Sequence, residues 1–238
     1  MKKAERVQKI REILEEIYPD VRCTLNYSNP LEMLIATQLS AQCTDARVNI
    51  ITKELFKRFR TVEDYANAEL PELESYIRSA GFYTTKAKNI KACCQRLIAE
   101  YNGQVPDTME DLLTLPGTGR KTANLVLGDI FKKPAVVVDT HCIRLTNRLG
   151  LTKESDPTKI EFELKKLLPP DYQLKFCHQM VHHGRVCCTA RKPKCTECAL
   201  FAVCKNPEIT QKGKKSQKIY TNNLYNGRNN KNGKLFIL

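Results

Sequence analysis

The sequence predicts an all-α protein, and three observations carry that reading. Apolar residues recur three and four apart over most of the chain, helix start and stop signals punctuate those runs, and apolar–polar alternation is nearly absent. Only Val136-Val137-Val138 reads as a possible strand. The first segment puts Val7, Ile10, Ile13, Leu14, Ile17 and Tyr18 on one helical face, and Pro19 ends it. Pro30 opens a second helix that runs to Leu39. Thr44-Asp45 caps a third, carrying Val48, Ile51, Leu55 and Phe59 on one side. Thr61 followed by Asp64 resembles a capping box with Asp replacing the usual Glu or Gln. Further helices are expected over 71–79 before Gly81, 85–101 before Asn102-Gly103, 108–113 and 120–131. Asp156-Pro157 starts another, closed by Pro169-Pro170, and Asp171 starts the last, which runs toward His183-Gly184.

A chain of 238 residues suffices for one large domain or two small ones with a buried core. The 39 Lys and Arg outnumber 26 Asp and Glu, and the resulting charge of +13 favours a polyanionic partner. A hydrophobic share of 42% excludes wholesale disorder. No stretch approaches the roughly 18 consecutive apolar residues of a spanning helix. Four of the first six residues are charged and they lead into no apolar run, so a soluble, cytoplasmic protein without a membrane partner is expected. Eleven cysteines is an odd count with no export signal, which favours metal binding over a disulfide framework. Residues 205–238 carry eight Lys or Arg against Glu208 alone, with seven Asn, and read as a disordered basic tail that could strengthen non-specific nucleic-acid binding.

The most informative stretch is Leu115-Pro116-Gly117-Thr118-Gly119-Arg120-Lys121-Thr122-Ala123, between two amphipathic helices. Its glycines permit positive φ and close backbone approach, and the second helix presents unsatisfied N–H groups toward the turn, where a phosphate can sit. This hairpin resembles the helix-hairpin-helix element of DNA repair glycosylases, specifically of the endonuclease III family. Three further stretches match that family in order: Leu39-Ser40-Ala41-Gln42-Cys43-Thr44-Asp45; Val137-Val138-Asp139-Thr140-His141 with Arg144; and a cysteine loop. The resemblance covers residues 1–204. It implies two helical domains, 22–132 with the hairpin and 1–21 plus 133–204 with the cysteine loop, and a DNA-binding cleft between them.

The resemblance makes Lys121 the nucleophile that attacks the sugar C1′ and forms a Schiff base, and Asp139 the second catalytic residue. A primary amine suits that work because it can lose water to an imine, provided the ammonium, with an ordinary pKa of about 10.4, gives up its proton. Adjacent Arg120 and the positive end of the helix would assist. Chain length supplies an independent check. A helix over 120–131 travels about 18 Å, and the seven residues 132–138 can return at most about 25 Å, so Asp139 can come back to the level of Lys121. Asp139 is also a suitable N-cap for the helix beginning near Thr140.

By the same resemblance Gln42 is the plug opposite an orphaned base, and Phe82 occupies the wedge position where relatives often carry Leu. Leu115, Gly117, Gly119, Arg120, His141 and Arg144 are the remaining expected DNA-binding residues, with His141 on a pocket floor or against a carboxylate. Cys188, Cys195, Cys198 and Cys204 are separated by six, two and five residues, the spacing of the endonuclease III [4Fe-4S] loop. Spacing alone leaves zinc open, although a zinc ribbon usually has two C-x2-C pairs and here there is one. Cys187 is left out of the ligand set. Arg185, Arg191, Lys192 and Lys194 surround the loop and are expected to face the DNA backbone.

The implied activity is removal of oxidised or ring-damaged pyrimidines from double-stranded DNA, followed by cutting at the abasic site through β-elimination, by a monomer associated with the nucleoid. Two alternatives stand beside it. A mismatch glycosylase of the adenine-removing kind carries a catalytic Glu where Ala36 stands and usually lacks the lysine at 121. A non-catalytic DNA-binding scaffold would not need both Lys121 and Asp139.

Overall fold

The computed structural model describes residues 1–207 and contains no strand among them. Its helices are α1 (Lys3–Ile17), α2 (Pro30–Leu39), α3 (Asp45–Arg58), α4 (Val62–Ala66), α5 (Leu70–Ile77), α6 (Tyr83–Tyr101), α7 (Met109–Thr114), α8 (Arg120–Asp129), α9 (Thr140–Arg148), α10 (Pro157–Leu167) and α11 (Gln173–Val186). Short 3-10 turns lie at Arg78–Ala80, Pro170–Tyr172, Cys195–Glu197 and Phe201–Val203.

Local chemistry explains most boundaries. Asn29, Thr44, Thr108 and Asp156 each accept a hydrogen bond from the backbone N–H three residues on, so α2, α3, α7 and α10 start where their caps stand. The expected capping box forms: Asp64 N–H donates to Thr61 Oγ1 at 3.2 Å and Thr61 N–H to Asp64 Oδ2 at 3.0 Å. Three expectations are corrected. Residues 136–138 form no strand; they are buried in an irregular segment whose Val137 N–H donates to Cys177 Sγ at 3.2 Å. Helix α8 stops at Asp129, because Lys132 turns back with φ +54° and its Nζ donates to Asp129 O. Helix α11 starts at Gln173, after the 3-10 turn that Pro170 opens.

Helix α2 is buried from Met33 to Leu39 and packs on α3, α6 and α8, while α4 and α5 pack on α6 and α7 on α8. In a second group α11 packs against α1 and α9, and it also touches α8. Buried apolar residues run through both groups as one cluster, from Ile10 and Leu14 through Met33, Leu34 and Val126 to Leu145 and Phe176. No helix among the described residues is long and apolar enough to cross a membrane. From residue 208 on, the basic tail lies outside the described residues.

Candidate active site and nucleic-acid interface

The turn between α7 and α8 is pinned to the centre of the molecule. Thr118 N–H closes it onto Leu115 O at 3.1 Å, and Gln38 of α2 donates from Nε2 to Pro116 O (3.1 Å) and Thr118 Oγ1 (3.2 Å). The two glycines do different work. Gly117 has φ +76°, and a Cβ there would lie 3.0 Å from Asn89 Cβ and 3.2 Å from Gln38 Oε1. Gly119 is extended, with nothing within 4 Å of an added Cβ, so the space over it is open to an outside group. It precedes α8, which begins with no side-chain cap, leaving first-turn N–H groups available to a phosphate.

Lys121, exposed on the first turn of α8, and Asp139 face one cleft, which the reach of residues 132–138 allows. That cleft has a cavity volume of about 340 Å³, within the roughly 300–1,000 Å³ found in ligand clefts. Asp139 caps α9 by accepting from Cys142 N–H at 2.7 Å with Oδ1, which leaves Oδ2 for chemistry in the cleft. No ion pair joins Lys121 to any carboxylate among the described residues.

The cleft also holds an ion pair that the sequence did not announce. Asp45 and Arg185 pair across it at 2.7 Å, and the Thr24 hydroxyl donates to the same Asp45 oxygen. Burial alone would raise the Asp45 pKa, but the hydrogen bonds from Thr24 and Arg185, together with the charge of Lys121, hold it below the ordinary carboxylate value. Asp45 had been read only as a helix cap, and Arg185 as a basic neighbour of the cysteine loop. Only the tertiary fold, which brings the C-terminal end of α11 to the start of α3, pairs them. Ser40 and His182 complete the polar rim.

Gln42 and Phe82 lie on either side of a neighbouring depression that reaches Gly117. Both are exposed and both hold left-handed backbone conformations, φ +53° and +48°, rare for non-glycine residues. The Phe82 ring is 67% exposed, an arrangement that suits an apolar wedge awaiting a base step.

Four expected DNA contacts are occupied inside the protein. The Leu115 side chain is buried in the core. Arg120 is held by Glu161 of α10 through two hydrogen bonds, Nε to Oε2 at 2.9 Å and Nη2 to Oε1 at 2.6 Å. Its charge is thereby matched within the protein. Arg144 donates to the carbonyls of Gly184 and Cys188 and tethers the cysteine loop to α9. His141 meets the Arg144 guanidinium through Nδ1 at 3.1 Å, in place of the expected carboxylate, and does not line the cleft. Burial draws the His141 pKa down, and Asp139 opposes that shift.

Cys188, Cys195, Cys198 and Cys204 line one cavity with Leu145, Leu149, Leu200 and Phe201. Arg148 Nη1 lies 3.4 Å from Cys188 Sγ, placing a cationic N–H donor where a ligating thiolate would sit. Four thiols turned to one apolar cavity, with such a donor beside them, fit a thiolate-bound metal centre. Cys187 also reaches this cavity: the ligand atoms of His183, Cys187 and Cys198 lie within 4.8 Å of one another.

A glycine hairpin pinned on a helical platform, with a cleft at the N-terminus of its second helix, is the frame of a known class. Residues 35–170 match the family described as HhH-GPD superfamily base excision DNA repair protein. Within that class the chain belongs to the endonuclease III family, being 48% identical over 210 residues to Endonuclease III of Synechocystis sp. (87% of this chain, 95% of the relative). It is 38% identical over 208 residues to Endonuclease III of Escherichia coli (87% and 98%). Among solved structures, a non-covalent Endonuclease III–DNA complex superposes with TM-score 0.83 at 41% identity, covering 92% of this chain and all of the other. A trapped Endonuclease III–DNA covalent intermediate gives 0.79 at 44%, covering 88% and 97%.

Proposed function

We infer that this protein is a bifunctional DNA glycosylase and abasic-site lyase of base excision repair, acting on double-stranded DNA that carries oxidised pyrimidines or abasic sites. The observation that carries the reading is the convergence of Lys121 and Asp139 on one cleft beside the hairpin. The sugar C1′ becomes accessible once the damaged nucleotide leaves the stack, and Gln42 and Phe82 are the residues suited to fill the gap. Lys121 Nζ, as the free amine, bonds to C1′ while the bond to the base breaks. The Asp139 carboxylate stabilises the positive charge that develops on the sugar. Ring opening gives an imine between Lys121 and C1′; loss of a C2′ proton then expels the 3′ phosphate, and water releases the lysine. The pocket that receives the base is rimmed by Ser40, Asp45 and Arg185, a polar set able to hydrogen-bond an oxidised pyrimidine.

Cys188, Cys195, Cys198 and Cys204 would hold a [4Fe-4S] cluster, whose four thiolate bonds close a loop too short to build a core of its own. We read the protein as a cytoplasmic, nucleoid-associated monomer.

Borohydride trapping on a duplex with one thymine glycol tests the mechanism, since reduction makes an imine permanent. Wild type is expected to yield a cross-linked species and Lys121→Ala none. No trapping by wild type on that duplex or on a plain abasic site would overturn the lyase reading.

A further inference from the structure

Lys86 of α6 has no part in the chemistry above, yet it is among the least exposed charged residues, at 7%. A buried ammonium is costly unless its donors are met. Here all three are: Nζ donates to Leu39 O at 2.8 Å, Ala41 O at 2.8 Å and Ala80 O at 2.9 Å. Leu39 ends α2 and Ala41 directly precedes Gln42, while Ala80 stands two residues before Phe82. The Lys86 backbone N–H also donates to Phe82 O at 3.0 Å. One side chain therefore ties together two loops about 40 residues apart in sequence, each carrying a residue in a strained left-handed conformation that persists only if its surroundings enforce it. Placement near the start of α6 is unfavourable for a cation, whereas the carbonyls at the α2 C-terminus favour one. Burial also draws the ammonium pKa down, so the position is held by those carbonyls.

We propose that Lys86 is a positioning residue that locks the Gln42 and Phe82 loops into a single clamp, so that both side chains enter the duplex in register when the nucleotide is turned out. The proposal rests on the repair reading above. Without Lys86 each loop can still fold, but its strained tip is no longer held relative to the other, and misplacement by about 1 Å at such a site costs up to about a hundredfold in rate.

The test is a mutant cycle on a duplex with one abasic site under single-turnover conditions. It compares wild type, Lys86→Met, the Gln42→Ala/Phe82→Ala double variant, and the triple variant, with thermal melts of each. Lys86→Met is expected to cut about tenfold more slowly than wild type, and to add less than about twofold once Gln42 and Phe82 are already truncated, because coupled residues are non-additive. A 2-aminopurine placed beside the abasic site should show slower unstacking with Lys86→Met in the wild-type background only. Should Lys86→Met fail to fold, Lys86→Arg serves: its planar fork keeps the charge but cannot address three convergent carbonyls, and the same non-additivity is expected. Equal losses in both backgrounds would reduce Lys86 to a support of the fold, and no loss in either would remove the clamp; both overturn the proposal. Failure of wild type itself to cut the duplex would instead overturn the repair reading.

Discussion

Glu161 of α10 supports the N-terminal end of α8, which carries Lys121. Its side chain is 3% exposed and accepts two hydrogen bonds from Arg120, the residue before Lys121, and one from Lys165 at 2.8 Å. Glu161→Gln removes the charge and turns an amide donor toward two cations that can only donate. Breaking a fully buried ion pair costs about 3–5 kcal/mol. Arg120 and Lys165 are 32% and 30% exposed, so water relieves part of the loss, and about 2 kcal/mol is expected in line with hydrogen bonds to charged groups. For a chain of this size that lowers the melting temperature by about 4–8 °C. The pH dependence follows from the direction of the Glu161 pKa. Burial would raise it, but the hydrogen bonds from Arg120 and Lys165 hold it below the ordinary 4.5. A depressed carboxylate contributes its full stability above the unfolded-state pKa and loses it as pH falls through the folded value. The gap between wild type and Glu161→Gln in urea melts should therefore be constant from pH 7 to about 5 and close below pH 4.5. A variant as stable as wild type at pH 7, or a gap that widens on acidification, would refute this reasoning.

Four further outcomes are expected. Gly117→Ala should destabilise the protein by about 1–3 kcal/mol, because a side chain at φ +76° is strained and its Cβ presses on Asn89 and Gln38. Gly119→Ala meets no protein atom and should leave the melt unchanged while weakening DNA in a gel-shift titration. Gly184→Ala would drive a Cβ into the His141 ring and toward the Arg144 guanidinium; about 1–3 kcal/mol is expected from overpacking, and, on the cluster proposed above, less iron by elemental analysis than wild type as the Arg144 tether to Cys188 loosens. DNA affinity should fall linearly in log–log form with salt, with a slope near −0.9 per phosphate neutralised; an affinity indifferent to salt would contradict contact through the hairpin and the basic surface.

How much could be read from the chain depended on the distance between interacting residues. Helix starts at 30, 45, 109 and 157 were legible because a cap acts within three residues of itself. The hairpin was legible for the same reason: a turn states its requirement in contiguous residues. Chain lengths permitted Lys121 and Asp139 to meet, since the return over 132–138 is long enough to span the helix, but packing decided that they face one cleft. What the sequence could not determine was the assignment of individual charges. Arg120 and Arg144 look like DNA contacts when only their motifs are seen, yet their partners stand 41 and 40 to 44 residues away, chosen by how α8, α9, α10 and α11 pack. Asp45 and Arg185 are 140 residues apart, and Lys86 binds carbonyls 45 and 47 residues before it. Local patterns set where helices begin and which chemistry is present. Which charge meets water, phosphate or another charge is decided only when helices pack, because desolvation and pairing depend on neighbours that no local pattern contains.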